Sequence, residues 1–535
     1  TRGDCQIAQQ TPRRPYGLLS FCCPQFLIYC RCEEARRRTN MHFSIPDTQE
    51  CKEDNGSTYV AYNIHINGVF HCTMRYRQLH SLHEQLKKDL GGSTLPPFPP
   101  KKLLPLSPTQ TEERRATLEK YILQLSQDPR VLNNDVFNGF LVFAQNETQR
   151  AGGGQDEVPI DIYLTSGQKV TLTIPATLQT DDLLEKVCNQ IHLPSEMVYY
   201  FALFLVKKEE NDLIVVKRLQ DFESPYISQR CMKGLHRIML RKNYWDPSID
   251  QEVMSDRVGL NLLYMQTVQD VERGWVLTNH EIQRQLAALQ AKGAKKEYME
   301  LARTLKYYGY LQFQSCSCDF PKPGTSVLIS AGNKELNFRI ECEDGSMKEG
   351  NFKVTRIRCW RITVQQPCSE GSPSSGSRDG CASLDASQQV NLELSFEYLM
   401  SREEMRWVRV NSPQAVLMSL CLQGMVNELL SHKRGRKVRT PNERVRKGSL
   451  SYVRRDGSST HVTLNHTGEN LPQEGSSQGS SSSQSPIGEL SLRRLSERLS
   501  DPLDNRPSSP ARPNGQAEHT TVENHAFNIM GDDNL

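Results

Sequence analysis

The chain lacks the features that would place it in several large classes. No uninterrupted apolar run reaches the ~18–20 residues that a membrane-spanning helix needs. The apolar stretch near the start, YGLLSFCCPQFLIYC, is broken by Pro24 and Gln25 and has no small-residue cleavage site after it, so it fits neither a span nor a signal peptide. There is little excess charge: 65 Lys and Arg face 62 Asp and Glu, a formal +3, so no wholesale binding of nucleic acid is expected and only local basic patches matter. The 16 cysteines form no disulfide framework, since eleven are scattered irregularly through residues 51–421, several inside apolar patterns that suit buried reduced thiols. Catalytic signatures are missing too. There is no phosphate-cradling glycine loop and no HExxH helix; Cys316 and Cys318 have no second pair to complete a zinc site. The GSSQG of residues 475–479 sits in low-complexity sequence with no strand before it or helix after it. The expectation is a non-enzyme without cofactor or metal, soluble or held to a membrane from outside.

What is present divides the 535 residues into three or four domains and a tail. Residues 1–40, which precede the first Met, read as an extension that belongs to no domain. Residues 41–147 read as an α+β domain. TYVAYNIHING alternates and reaches Asn67-Gly68, the strongest short hairpin signal, after which Leu79, Leu82, Leu86 and Leu90 repeat at helical spacing. A stiff proline loop, PPFPP, and two further helices follow. Residues 157–243 give a hairpin, a helix and more strands; residues 244–309 are helical throughout; residues 310–433 return to short strands and close on one long helix with Ser412 as its N-cap. From 434 to 535 Ser, Gly, Pro, Arg and Asn dominate, and such a composition cannot bury enough apolar surface to offset its ordering entropy, so disorder with short binding motifs is expected.

One joint stands out in the first domain. Arg75-Tyr76-Arg77 falls where the sheet gives way to a helix. Helix N-termini attract anions, Arg grips a phosphate with a planar fork, and Tyr76 offers a flat face for a sugar-like ring. Lys101 and Lys102 follow the stiff loop, and Arg114 lies in the next helix. Separated cations around an aromatic face suit a ring-shaped polyanion.

RYRQL, then PPFPPKK, then RRATLEKYI, in this order and spacing, resemble the PX domains that bind phosphatidylinositol 3-phosphate. Carried over by position, the resemblance puts Arg75 on the 3-phosphate, Tyr76 under the inositol, Lys101 (with Lys102 as the alternative) on the phosphodiester and Arg114 on the ring hydroxyls. A PX domain followed by ubiquitin-like, helical and phosphotyrosine-binding (PTB/PH)-like lobes is similar to the PX-FERM sorting nexins, and VGLNLLYMQTVQDVERGW, RIRCWRI, FEYLMS and the final GDDNL carry the likeness further. It covers residues 41–433 and the last dozen. The implied fold is α+β and multidomain: a PX domain, an atypical FERM module of three lobes (157–243, 244–309, 310–433) and a disordered tail.

The closing helix carries two adjacent apolar stripes. Ala415, Met418, Leu422, Met425 and Leu429 suffice to cover a sheet, and Leu422, Val426 and Leu430 add a second. Either neighbouring lobes cover the surplus or the helix lines a groove. An extended peptide can complete an edge strand beside such a helix. The family resemblance implies Asn-Pro-x-Tyr or Asn-x-x-Tyr motifs as ligands, from tails of the LDL receptor family, integrin β and P-selectin class, with Trp360, Leu399, Val426 and Leu430 as contacts. No arginine cluster is placed for a phosphate, so the expected peptide is unphosphorylated.

In the tail, Lys433 to Arg455 hold ten Lys or Arg and a single acid, a run that anionic lipid can attract or that simply stays solvated. Ser449 and Ser496 follow basic residues. NHAFNIMGDDNL ends the tail with apolar residues among acids. The resemblance implies that this end recruits the Retriever part of the Commander recycling assembly through Phe527, Asp533 and Leu535, with Asn534 standing where relatives carry an acid; an acidic-type PDZ ligand is the rival reading. Together these expectations describe a peripheral adaptor on the cytoplasmic face of the early endosome. The alternative is a FERM scaffold between membrane and cytoskeleton.

Overall fold

Asn67 and Gly68 both take positive φ, 54° and 78°, as a two-residue hairpin turn demands. They join β3 (Thr58–Ile66) to β4 (Val69–Arg75). In this computed structural model β3 is the spine of a four-stranded sheet, with β4 on one side and β1 (Phe43–Ser44) and β2 (Thr48–Lys52) paired to its two ends on the other. The described residues are 41–52, 56–91, 95–102, 105–132, 134–151, 156–209, 212–232, 234–341, 345–365, 391–401, 404–433, 448–464, 521–524 and 526–527. Residues 1–40 and most of 434–535 therefore lie outside them.

Helix α1 (Tyr76–Leu90) presents Leu79, Leu82 and Leu86 to the sheet, as their spacing requires. Helix α2 (Pro108–Leu125) starts on Ser107, whose hydroxyl accepts from the Gln110 amide at 3.3 Å. A short α3 (Pro129–Leu132) and α4 (Asp135–Ala151) complete the first core, which includes Phe43, Ile64, Met74, Phe137 and Phe140.

The next lobe contains β5 (Glu157–Tyr163), β6 (Lys169–Pro175), α5 (Thr180–Gln190), β7 (Phe201–Glu209), β8 (Asp212–Arg218), α6 (Pro225–Arg230) and β9 (His236–Lys242). Its sheet order is β6-β5-β9-β7-β8, with β5 and β9 parallel. The unbroken apolar run of β7 has a cause: both its faces are buried. Phe201, Leu203 and Leu205 join a core shared with the helical lobe, whereas Ala202, Phe204 and Val206 join the core of the third lobe.

The helical lobe is α7 (Asp250–Val253), α8 (Arg257–Glu272), α9 (His280–Ala291) and α10 (Lys295–Ala302). Fully buried Asp250 ties it to its neighbours, accepting from Tyr244 Oη at 2.6 Å and Tyr308 Oη at 2.8 Å, with Lys242 Nζ at 3.3 Å.

The third lobe is built from β10 (Leu311–Gln312), β11 (Cys316–Cys318), β12 (Thr325–Gly332), β13 (Glu335–Glu341), β14 (Met347–Lys353), β15 (Ile357–Gln365), β16 (Asn391–Leu399), β17 (Met405–Asn411) and α11 (Ala415–Lys433). Of the two alternatives for the closing helix, cover by a neighbouring lobe is what its contacts show. Met418, Leu422 and Met425 cover the sheet. On another side Gly424 backs onto Trp245, where an added Cβ would meet Nε1 at 2.8 Å, and the Glu428 carboxylate accepts from the Trp245 amide at 2.9 Å.

The tail departs from the expectation of disorder at two places. Residues 448–464 form a hairpin, β18 (Gly448–Val453) with β19 (Ser459–Leu464), and Thr521–Glu523 form β20, which joins the third lobe's sheet. Neither segment has a core of its own; each gains its apolar partners from a domain far back in the chain. Among the described residues, no helix is long and apolar enough to cross a membrane.

Candidate functional site

Arg75 closes β4 and Tyr76 opens α1, so the two side chains leave the backbone where strand geometry becomes helical. The Arg75 amide donates to Gln78 Oε1 at 2.9 Å, which settles an orphan donor at the helix start. Its guanidinium lies 3.7 Å over the ring of Tyr59, and its Nη1 donates to the Arg455 carbonyl at 2.8 Å.

Tyr76 faces a different set of partners. Its hydroxyl donates to Pro99 O at 2.8 Å, which ties the ring to the proline loop just before Lys101. Phe98 of the same loop packs tilted beside it at 5.5 Å and edge-to-face with Tyr121 at 4.8 Å. The Arg114 guanidinium lies 4.5 Å above the Tyr76 ring. Burial raises the Tyr76 phenol pKa, with Arg114 pulling the other way.

Arg114, the residue the resemblance named, and its neighbour Arg115 have different partners. Arg115 is spent on Glu112 and Glu119, at 2.7 and 2.9 Å. Arg114 keeps a buried Nη2 without a hydrogen-bond partner among the described residues. Tyr76, Arg114 and the loop ending at exposed Lys101 and Lys102 thus form one group, with Arg75 beside it at the head of the same helix. Tyr59 was missed because a ring on the paired strand β3 leaves no local signal at residue 75.

The second candidate is the edge of the third lobe. Strand β15 pairs with β16 on one side and with β20 on the other, in the register Cys359↔Glu523, Trp360↔Val522, Arg361↔Thr521. Asn524 then turns the chain. Its amide donates to Arg358 O at 2.9 Å, and its Nδ2 to Val354 O at 2.8 Å and Ile357 O at 2.7 Å. Its Oδ1 accepts from the Ala526 amide at 2.9 Å, and the Phe527 amide closes the turn on Asn524 O at 3.1 Å. Only a carboxamide supplies both those donors and that acceptor from one side chain.

Trp360, Val426 and Leu430 share one apolar cluster with Ala526, and Val522 packs against it. Trp360 is 1 % exposed and donates from Nε1 to Ser419 Oγ at 2.9 Å, which pins α11 to β15. Leu399 is not part of that cluster: it lies past the end of the β15 ladder and pairs with Met405 across the next hairpin. Phe527 is half-buried, while Asp533 and Leu535 lie outside the described residues. Also among the described residues, no group of His, Cys, Asp or Glu could hold a metal ion.

A sheet-and-helix domain with this aromatic and cationic cluster, followed by ubiquitin-like, helical and PTB-like lobes, is a PX domain joined to a FERM module. The family models agree in the same order: PX over residues 62–144, the F1 lobe of sorting nexins 17, 27 and 31 over 158–245, the F2 lobe of sorting nexins 17 and 31 over 246–306, and the sorting nexin 17 FERM C-terminal domain over 309–430. Sorting nexin-17 of Danio rerio is 50 % identical over 414 residues, covering 77 % of this chain and 86 % of that protein. Sorting nexin-17 of Homo sapiens is 48 % identical over 402 residues, 75 % and 84 % of the two chains. Human sorting nexin-31 is 36 % identical over 399 residues, 72 % of this chain and 86 % of that one. The chain belongs to the PX-FERM sorting nexins, in the sorting nexin-17 family. None of these family models is of a catalytic family.

Proposed function

We propose that this chain is a non-catalytic endosomal cargo adaptor, peripheral to the cytoplasmic face of the early endosome. Arg75, Tyr76, Lys101 and Arg114 hold the headgroup of phosphatidylinositol 3-phosphate. The edge of β15 beside α11 takes an Asn-Pro-x-Tyr or Asn-x-x-Tyr stretch of a receptor tail, with Val426 and Leu430 on the helix side and Trp360 beneath. Phe527, Asp533 and Leu535 engage the Retriever part of Commander, which returns cargo to the cell surface and away from lysosomal degradation. Weak lipid and cargo contacts made on one membrane reinforce each other through effective concentration.

The observation that carries this reading is the seat of Thr521–Glu523 and Asn524 on β15. An aromatic, Phe527, follows Asn524 by three positions, the spacing of the proposed receptor motif. Main-chain pairing, with pockets that read side chains, is how an extended peptide is recognised at a sheet edge. A receptor tail has to displace this segment, so cargo and tail compete for one surface.

The test is calorimetry of the full chain with an unphosphorylated Asn-Pro-x-Tyr peptide, and sedimentation with vesicles containing phosphatidylinositol 3-phosphate. Binding of both is expected. Failure of the peptide to bind even a chain truncated after residue 520 removes the cargo reading, and equal sedimentation with plain phosphatidylcholine removes the lipid reading.

A further inference from the structure

The hairpin β18–β19 is docked into the first domain as deeply as that domain's own elements. Leu450 and Tyr452 are 0 % and 3 % exposed and belong to its core, with the Tyr452 ring 5.5 Å from Phe140 and 5.6 Å from Phe143. Gln85 of α1 pairs with Ser451 through both halves of its amide, accepting from the Ser451 amide at 3.0 Å and donating to Ser451 O at 2.7 Å. Gln78 Nε2 donates to Tyr452 Oη and to Val453 O, each at 3.1 Å. Glu147 of α4 accepts from Tyr452 Oη at 2.7 Å and from the Arg455 amide at 2.8 Å, and Arg455 Nη2 donates to Thr73 O at 2.8 Å.

All these contacts fix one carbonyl, that of Arg455, which accepts from Arg75 Nη1 at 2.8 Å and also from Arg77. The turn beyond it is fitted to Arg77. Gly457 has φ +95°, and a Cβ there would meet Arg77 Nη1 at 2.7 Å.

We propose that this hairpin is a working part of the headgroup site, with Arg455 as a positioning residue that holds the Arg75 guanidinium ready for a phosphate. The lipid-binding unit is then assembled from two chain segments, 41–151 and 448–464, that lie on either side of the entire FERM module in sequence. The proposal rests on the reading of Arg75 as a headgroup ligand. Its physical basis is preorganisation: a free arginine loses much rotamer freedom when it binds, and one already held between a ring face and a carbonyl loses less. The depth at which Leu450 and Tyr452 are buried argues for a fixed support and against a removable cover, because undocking would return both side chains to water.

The experiment uses the full chain and its Tyr452→Ala, Tyr452→Phe, Gly457→Val and Arg75→Ala variants. Affinity for a soluble short-chain phosphatidylinositol 3-phosphate is measured by calorimetry, at a temperature where thermal melts show each variant folded. Tyr452→Ala is expected to bind about tenfold more weakly, Gly457→Val to bind more weakly too, and Tyr452→Phe, which keeps the buried ring, to stay close to the parent. A support of purely structural kind lowers the melting temperature and leaves the affinity of the folded protein unchanged. Unchanged or tighter binding by folded Tyr452→Ala overturns the proposal, and if that variant does not fold, Gly457→Val decides by the same criterion. Parent-like binding by Arg75→Ala brings down the headgroup reading itself; weak binding by Arg75→Ala beside unchanged binding by Tyr452→Ala removes only the hairpin's role.

Discussion

Trp360 of the edge strand lies opposite Val522, so the third lobe's sheet ends on a strand drawn from the far end of the same chain. Any receptor peptide that uses this edge meets an occupant already tethered there. Truncation after residue 520, or Asn524→Ala, which removes two donors and an acceptor, is therefore expected to raise the apparent affinity for an Asn-Pro-x-Tyr peptide by roughly tenfold or more. Calorimetry on the two chains measures it directly, and equal affinities would mean that the peptide binds elsewhere.

Trp360 itself is a poor probe of that groove. It is among the largest fully buried side chains and anchors α11 through Ser419. Trp360→Ala is expected to cost about 3–5 kcal/mol of stability, read as a lower denaturation midpoint. Lost peptide binding in that variant then reports on the whole lobe. Val522 and Asn524, which belong to the tail, test the edge without disturbing the core beneath it.

Neighbouring arginines in α2 make a sharper test of the lipid site. Arg115 pairs with Glu112 and Glu119, while Arg114 faces the Tyr76 ring with Nη2 buried. Arg114→Ala is expected to weaken sedimentation with phosphatidylinositol 3-phosphate vesicles roughly tenfold, the worth of a charge-assisted hydrogen bond. Arg115→Ala should leave the lipid affinity of the folded protein near that of the parent. The reverse order would reassign the site.

Acid should loosen the first domain before the rest. Burial pulls His42 and His71 from 6.5 down to about 4, and the His71 ring sits 5.7 Å from Phe222 of the next lobe. Both are neutral in the fold, whereas the unfolded chain takes up their protons below 6.5. Stability is therefore full above that value and falls as pH drops toward about 4, by up to about 3 kcal/mol for each histidine. Melting temperatures followed from pH 7.5 to 5 check the sign; a flat profile over that range would contradict it.

Much of this was legible in the chain itself. Asn67-Gly68 announced the first hairpin, the leucines from 79 to 86 announced α1, and the surplus apolar surface of residues 415–430 correctly implied something beyond one sheet. Arg75-Tyr76 at a strand–helix joint was visible for the same reason: each is a local pattern whose geometry follows from a few adjacent residues. The hairpin of residues 448–464 carried a local signal as well, Asp456-Gly457 between alternating residues. It was passed over because the surrounding composition is that of a disordered tail.

What the sequence determined was the identity of each element and the chemistry it could offer: cations beside an aromatic ring, an edge strand beside an apolar helix, and apolar residues among acids near the end. What tertiary structure alone decided was which segments meet. A hydrogen bond between residues 75 and 455, or a strand pair between 360 and 522, leaves no mark in either neighbourhood. Their partners are chosen by which apolar faces remain uncovered after three lobes and a PX domain have packed, and that is a property of the assembled surface.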